Sequence, residues 1–317
     1  MLLGMLLACG AHAGPELPRA TVPDGFWEHW GDGRAELDSY RLVQPRYGGA
    51  RATPRDGTAL LIFVTEDFTE AQRVKSDGSH GDEYPVLKLN DIRHFQTGIY
   101  DYEVMASTFV RLDGAWPVGR PVKTSLSVQE WCGHVYEQLL PRDGALQWTG
   151  HSYFDGEGDH DERLPLPADG VLGEALPIVA RGLTGDWPAP GTEVTVPYLP
   201  TLLASRFAHR DPAWGRATIR RGAEPQRVEV PAGAFDAVEV TVAVEGGPTV
   251  RYLVEAAAPH RIVRWASSDG EEAELVASER LAYWKLNHEG DEARLRELGL
   301  AELPLPVAPA SPEPATP

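Results

Sequence analysis

Glu130, Cys132, His134, His151 and Asp155 carry the most chemistry in this chain of 317 residues. A thiol, two imidazoles and two carboxylates are the donor types that hold a borderline cation such as zinc. The same set can arm a thiol nucleophile, provided an imidazole base lies within roughly 3 Å of the sulfur. Spacing by two at 130, 132 and 134 puts those side chains on one side of an extended strand, because strand side chains alternate between faces. His151 and Asp155 join them only if the chain folds back. Pro141-Arg142-Asp143-Gly144 supplies that reversal, since its residues favour tight turns.

Pairing across this turn sets His134 opposite His151, Cys132 opposite Tyr153 and Glu130 opposite Asp155. Centring the turn on Asp143-Gly144 shifts the pairing by two and keeps every residue on its face, whereas a shift of one scatters them. One face then carries Trp131, Gly133, Val135, Leu139, Leu146, Trp148 and Phe154, a core surface. The other carries the five candidates with Tyr136, Gln138, Gln147, Thr149 and Tyr153.

Three roles fit that wet face. It meets water, as one side of an antiparallel sheet commonly does. It lines a cleft in which Cys132, His134 and His151, with Asp155 or Glu130, ligate zinc. Or Cys132 attacks with His134 or His151 as base, which together with the metal reading defines a metal- or thiol-dependent hydrolase. Two neighbouring carboxylates disfavour a thiolate and set catalysis below metal binding.

Trp131-Cys132-Gly133-His134 lacks the second cysteine that disulfide exchange requires. The acidic run from Asp155 to Glu162 resembles the start of a calcium loop, but His160 stands where that loop needs glycine and Leu166 where it needs glutamate. A solvated acidic loop with at most weak calcium affinity is expected. His29, His80, His94, His209, His260 and His288 are dispersed and read as ordinary histidines.

The elements that position these residues are mostly strands. Apolar alternation and turn signals predict strands at 35–42, 58–66, 86–95, 99–111, 122–140 and 145–154, and a second group between 217 and 282. There Val238, Val240, Val242 and Val244 form one dry face of a hairpin turned at Gly246-Gly247. Helical spacing at 169–182 predicts a helix, 186–200 reads as a Pro-rich connection, and 292–300 as a short closing helix. The expected fold is mainly β, a curved antiparallel sheet or open barrel with a few covering helices. One β-rich domain spans 26–302, its strand groups 35–154 and 217–282 joined through 169–216. The Pro-rich tail 303–317 is expected to be disordered.

Bulk properties exclude several classes. A formal charge of -18 repels phosphate backbones, so nucleic acid is not an expected partner. Two cysteines build no disulfide framework. No G-x-S-x-G, phosphate loop or H-E-x-x-H occurs.

Leu6-Leu7-Ala8-Cys9 resembles the lipobox of bacterial lipoproteins. The resemblance implies export, cleavage before Cys9 and a lipid on that sulfur, with 1–9 as the signal region and 10–25 as a Gly/Pro/Ala-rich tether. Membrane contact would then come from the lipid, with an outer-membrane-anchored body facing the periplasm. Ala11-His12-Ala13 offers a competing cut that releases a soluble periplasmic or secreted protein.

Val230-Pro231-Ala232-Gly233-Ala234-Phe235, with Pro259-His260-Arg261-Ile262-Val263-Arg264 downstream, resembles uncharacterised bacterial envelope proteins bearing a P-A-G-x-F turn, similar in fold to the half-barrels of lipoprotein carriers and sensors. Thr97-Gly98-Ile99-Tyr100, Gln129 to His134 and Ser152-Tyr153-Phe154 resemble a second uncharacterised envelope group, often labelled septum formation inhibitors. The expected curved sheet offers a concave apolar surface, which points to a non-enzymatic binding or scaffold role toward a hydrophobic ligand, a lipid or an envelope protein.

Overall fold

Runs of alternating apolar residues fall in two blocks along the chain; the first folds as an antiparallel meander and the second as a largely antiparallel one with one parallel edge pair. The computed structural model describes residues 16–46 and 53–300. The first block contains β1 (Ala35–Arg46), β2 (Thr53–Thr69), β3 (Glu83–Thr97), β4 (Tyr100–Arg111), β5 (Lys123–Glu130), β6 (Gly133–Arg142), β7 (Ala145–Ser152) and β8 (His160–Pro165). The second contains β9 (Val171–Leu172), β10 (Glu193–Leu199), β11 (Gly215–Arg221), β12 (Gln226–Val230), β13 (Gly233–Val244), β14 (Thr249–Glu255), β15 (Ile262–Ser267) and β16 (Glu272–Leu281).

β16 pairs antiparallel with β1, which fuses the two meanders into one sheet running from β8 through β1 and β16 to β9. β12 lies off this path against β13, and β9 meets β10 in parallel. The sheet does not close into a barrel. It curls enough for Leu61 on β2 and Val240 on β13 to share one core.

Three short helices fill the concave side: α1 (Phe26–Trp30), α2 (Leu176–Ala180) and α3 (Leu202–Ala208). Ile178 and Val179 of α2, with Phe26 and Trp30 of α1, enter the larger core between the meanders. Leu202 and Leu203 of α3 pack on Val104, Leu126, Leu139 and Trp148 inside the first meander. Thr201 caps α3 by accepting from the Ala204 amide, satisfying a backbone donor that the first turn leaves open.

An ionic cluster is buried where the meanders join. Arg181, just past α2, sets Nη2 2.7 Å from Glu36 and Nη1 3.7 Å from Asp38, and its Nε donates to the His260 carbonyl at 2.9 Å. Its guanidinium lies 4.3 Å over the Phe63 ring. Burial alone would raise Glu36, but Arg181 and His29 outweigh it and hold the carboxyl at about 2. Burial and the charge of Glu36 push Asp38 well above the usual carboxylate range. One guanidinium thus faces two carboxyls whose affinities for a proton are driven in opposite directions.

The mainly β fold class holds, and several boundaries differ from expectation. Residues 16–25 do not form a free tether: Leu17 and Ala20 are buried, and the Ala20 amide donates to the Trp116 carbonyl. The 186–200 connection contains β10, because Val196 and Tyr198 bury one face despite the surrounding prolines. The helix expected at 169–182 is reduced to a 3₁₀ turn at Gly173–Ala175 followed by α2. Its closing counterpart is a 3₁₀ segment at Asp291–Arg296, after which Leu298 seals the convex side against Leu37, Ile62 and Val64. Cys9, the signal region and the tail 303–317 lie outside the described residues.

Candidate functional site

The β6–β7 hairpin forms in the register with Asp143-Gly144 at its centre, Arg142 pairing with Ala145 and Tyr136 with His151. Asp143 and Gly144 take φ of 51° and 72°, the two positive values that a type I′ turn demands. Val135, Leu139, Leu146 and Trp148 are buried and His134, Tyr136 and His151 exposed, so the dry and wet faces separate as the alternation requires.

The expected strand at 122–140 is two strands. Glu130 pairs with Gly133, and Trp131-Cys132 forms the two-residue turn between β5 and β6. A two-residue turn reverses the face on which the alternation continues, so Glu130 shares a side with Gly133 and Val135. Glu130 therefore points into the concavity, its carboxylate 3.7 Å from Arg206 and almost wholly covered. Cys132 is exposed at the hairpin tip. Trp131, expected on the core face, is 68% exposed. Asp155 stands exposed in the loop after β7, and His151 pairs instead with Asp159 at 2.9 Å.

The five residues are thus divided among the convex face, the turn, the loop and the interior. Among the described residues no group of three or more His, Cys, Asp or Glu side chains is placed to hold a metal ion. The acidic loop is committed elsewhere: Glu157 to Arg206 and His209, Asp161 to Gln147, and Glu162 to His160.

Two features of this end were not visible in the strand pattern. The first is a polar cleft between α3 and β6–β7. Arg206 lies 3.4 Å from Glu157 and 4.1 Å over the Phe154 ring, while His209 Nδ1 stands 2.5 Å from Glu157. Glu137 accepts from Trp148 Nε1 at 2.9 Å, and the His160 ring stacks on the same indole at 4.2 Å. Burial raises the Glu137 carboxyl, opposed by the indole bond and by His160 and Arg206. One sequence signal could have exposed this cleft: Arg206 interrupts the apolar stripe of Leu202, Leu203 and Phe207.

The second feature is an aromatic rim. Alternate turns of a meander lie at the same end, so the β3–β4 turn, the β5–β6 turn and the loop after β7 come together. Their tips present Ile99, Trp131 and Tyr153, exposed to 81%, 68% and 70%. Gly98 supplies the positive φ of its two-residue turn, lifting Ile99 outward. Behind the tips the rings form a series. Trp131 meets Tyr100 at 6.3 Å, Tyr100 meets Tyr102 at 5.9 Å, and Tyr102 stacks on Phe95 at 4.9 Å. Tyr153 lies on Gly133, where an added Cβ would come within 2.6 Å of its ring. Exposed Asp101, Asp155, Asp159 and Asp161 make the surroundings acidic.

No family model matches the chain, and no curated protein matches it. Among solved structures it is similar to a β-barrel-like protein of the domain of unknown function DUF1849 from Brucella abortus, at 13% identity and a TM-score of 0.46. That match covers 78% of this chain and 97% of the other. A DUF1089 family protein from Pseudomonas aeruginosa is also similar, at 13% identity and a TM-score of 0.34, covering 56% of this chain and 82% of the other. The functional reading rests on this chain's own residues.

Proposed function

We propose that this chain is a non-enzymatic docking protein of the bacterial cell envelope, held there through a lipid on Cys9. Its partner is a protein that offers an apolar anchor flanked by basic residues. The observation that carries this reading is the exposure of Ile99, Trp131 and Tyr153 on three neighbouring tips at one end of the sheet. Each large side chain left in water forgoes roughly 1.5 to 3 kcal/mol of burial, so three together mark a contact surface. Trp and Tyr are also the residues that anchor interfaces.

The acidic surroundings choose the partner's charge. Aspartates at 101, 155, 159 and 161 favour approach of a basic segment and disfavour an anionic lipid surface. Carriage of a lipid inside the sheet has less support, because α2 and α3 already fill the concave side with leucine, isoleucine and valine. Hydrolysis has less support as well, since Glu130 and Cys132 point to different places.

A photo-crosslinking residue placed at position 131 in living cells tests the assignment. A discrete protein adduct is expected, lost when Ile99→Asn and Tyr153→Ser are added and absent when the crosslinker is moved to position 142. Adducts to lipid alone, or equal adducts from both positions, would overturn the docking role.

A further inference from the structure

The opposite end of the first meander, where the Asp143-Gly144 turn meets the β4–β5 connection, holds an open cavity of about 320 Å³. Arg19, Arg73, Arg120 and Arg142 line it, and its lining carboxylates are Glu16 and Asp143. On its walls four guanidinium groups face two carboxylates, while Glu70 beside Arg73 and Asp169 acting on Arg120 lie outside the lining. This arginine-rich lining stands in a chain whose formal charge is -18.

Three of the arginines, Arg19, Arg73 and Arg120, donate to backbone carbonyls. Arg120 is buried, and its Nη2 donates to the carbonyls of Pro167, Ala168 and Gly170 at 2.5, 3.0 and 3.3 Å. Its Nε is buried without a hydrogen-bond partner among the described residues, as is Nε1 of Trp116 on the cavity wall. Arg73 lies 5.6 Å from the Trp116 ring and donates to the Val122 and Pro141 carbonyls. Its carboxylate neighbour, Glu70, stands 3.9 Å away and is engaged more closely by Arg111 at 2.5 Å. Arg19 donates to the Ala115 carbonyl at 2.9 Å. Among the described residues, no carboxylate lies within 4.0 Å of Arg19, Arg120 or Arg142.

We propose that this cavity binds a phosphate monoester group. Such a group carries close to two negative charges near neutral pH, and its three terminal oxygens can accept from guanidinium groups that line the cavity from different segments. A planar carboxylate brings one charge and fewer acceptors. The site lies at the end of the meander away from the aromatic rim and is independent of docking there. The phosphate could belong to a soluble ester or to a lipid headgroup, and the two sources are separable.

Calorimetric titration of the full chain with inorganic phosphate, beside co-sedimentation with phosphatidylcholine vesicles with or without phosphatidic acid, tests the proposal. Saturable phosphate binding is expected, weakened about tenfold by Arg142→Gln and about a hundredfold when Arg19→Gln is added, and falling with salt. Both side chains are exposed, so an unchanged melting temperature verifies the fold of the variants. Binding of inorganic phosphate assigns a soluble ester. Sedimentation only with phosphatidic acid, abolished in the double variant, assigns a headgroup. Failure of both probes, or binding indifferent to both substitutions, overturns the site.

Discussion

Glu174 is a buried carboxyl whose ionisation should lower stability near neutral pH. It is buried beneath the start of α3, where Oε1 accepts from the Leu202 amide at 2.6 Å and Oε2 has no partner among the described residues. Burial pushes it up to about 7, against the lowering effect of that amide bond. Its folded value lies above its unfolded one, so its stabilising contribution is complete below the ordinary glutamate range and is lost as pH rises through about 7. The loss is roughly 3 kcal/mol, taking about 1.4 kcal/mol for each pH unit of displacement. The melting temperature should therefore fall between about pH 5 and pH 8 through this group. Glu174→Gln should flatten the fall and exceed the parent in stability at the alkaline end. An unchanged slope in the variant would show that Glu174 is not the group responsible. Nothing in the local sequence marks Glu174 as buried; its environment is created by α3, which arrives 28 residues later.

At the scale of elements, α3 is the piece that fixes the rim. Leu202 and Leu203 seat it in the first meander, and Arg206 then ties Glu130 below the β5–β6 turn to Glu157 in the loop after β7. Leu202→Ala should cost about 2 to 5 kcal/mol, the range for a buried leucine truncation. It should also speed amide exchange at 129–134 and 152–157, well away from the substitution. Faster exchange confined to α3 would contradict its positioning role.

The hairpin centred on Asp143-Gly144 was legible in the sequence because a turn signal and two apolar patterns agree on one register. The β5–β6 turn was not, since Trp131 and Cys132 carry no turn chemistry and extend the apolar alternation in both directions. Length was the available warning: a strand over 122–140 is about twice the usual upper limit of 10 residues. That one missed turn moved Glu130 to the interior and Trp131 to the surface, and it dissolved the five-residue constellation. Arg206 and His209 could be joined to Glu157 only through the tertiary fold.

The whole molecule is an open sheet with unlike ends and a filled middle. Fusion of the meanders through β1 and β16 places α1, α2 and α3 inside and leaves the rims open to contact. One end gathers Ile99, Trp131 and Tyr153 within an acidic field; the other gathers four arginines around an open cavity. Three segments that look unrelated along the chain, at 97–100, 129–134 and 152–154, become one surface because alternate turns of a meander share an end. Cys132 sits in that surface and reports on it directly. Maleimide labelling at Cys132, read on its own peptide by mass spectrometry, should be rapid in the purified protein and at least about tenfold slower in intact envelopes if a partner covers the rim, an interface core being water-excluded. Adding Ile99→Asn and Tyr153→Ser should restore rapid labelling in envelopes. Equal labelling of the parent protein in both settings would contradict the docking account.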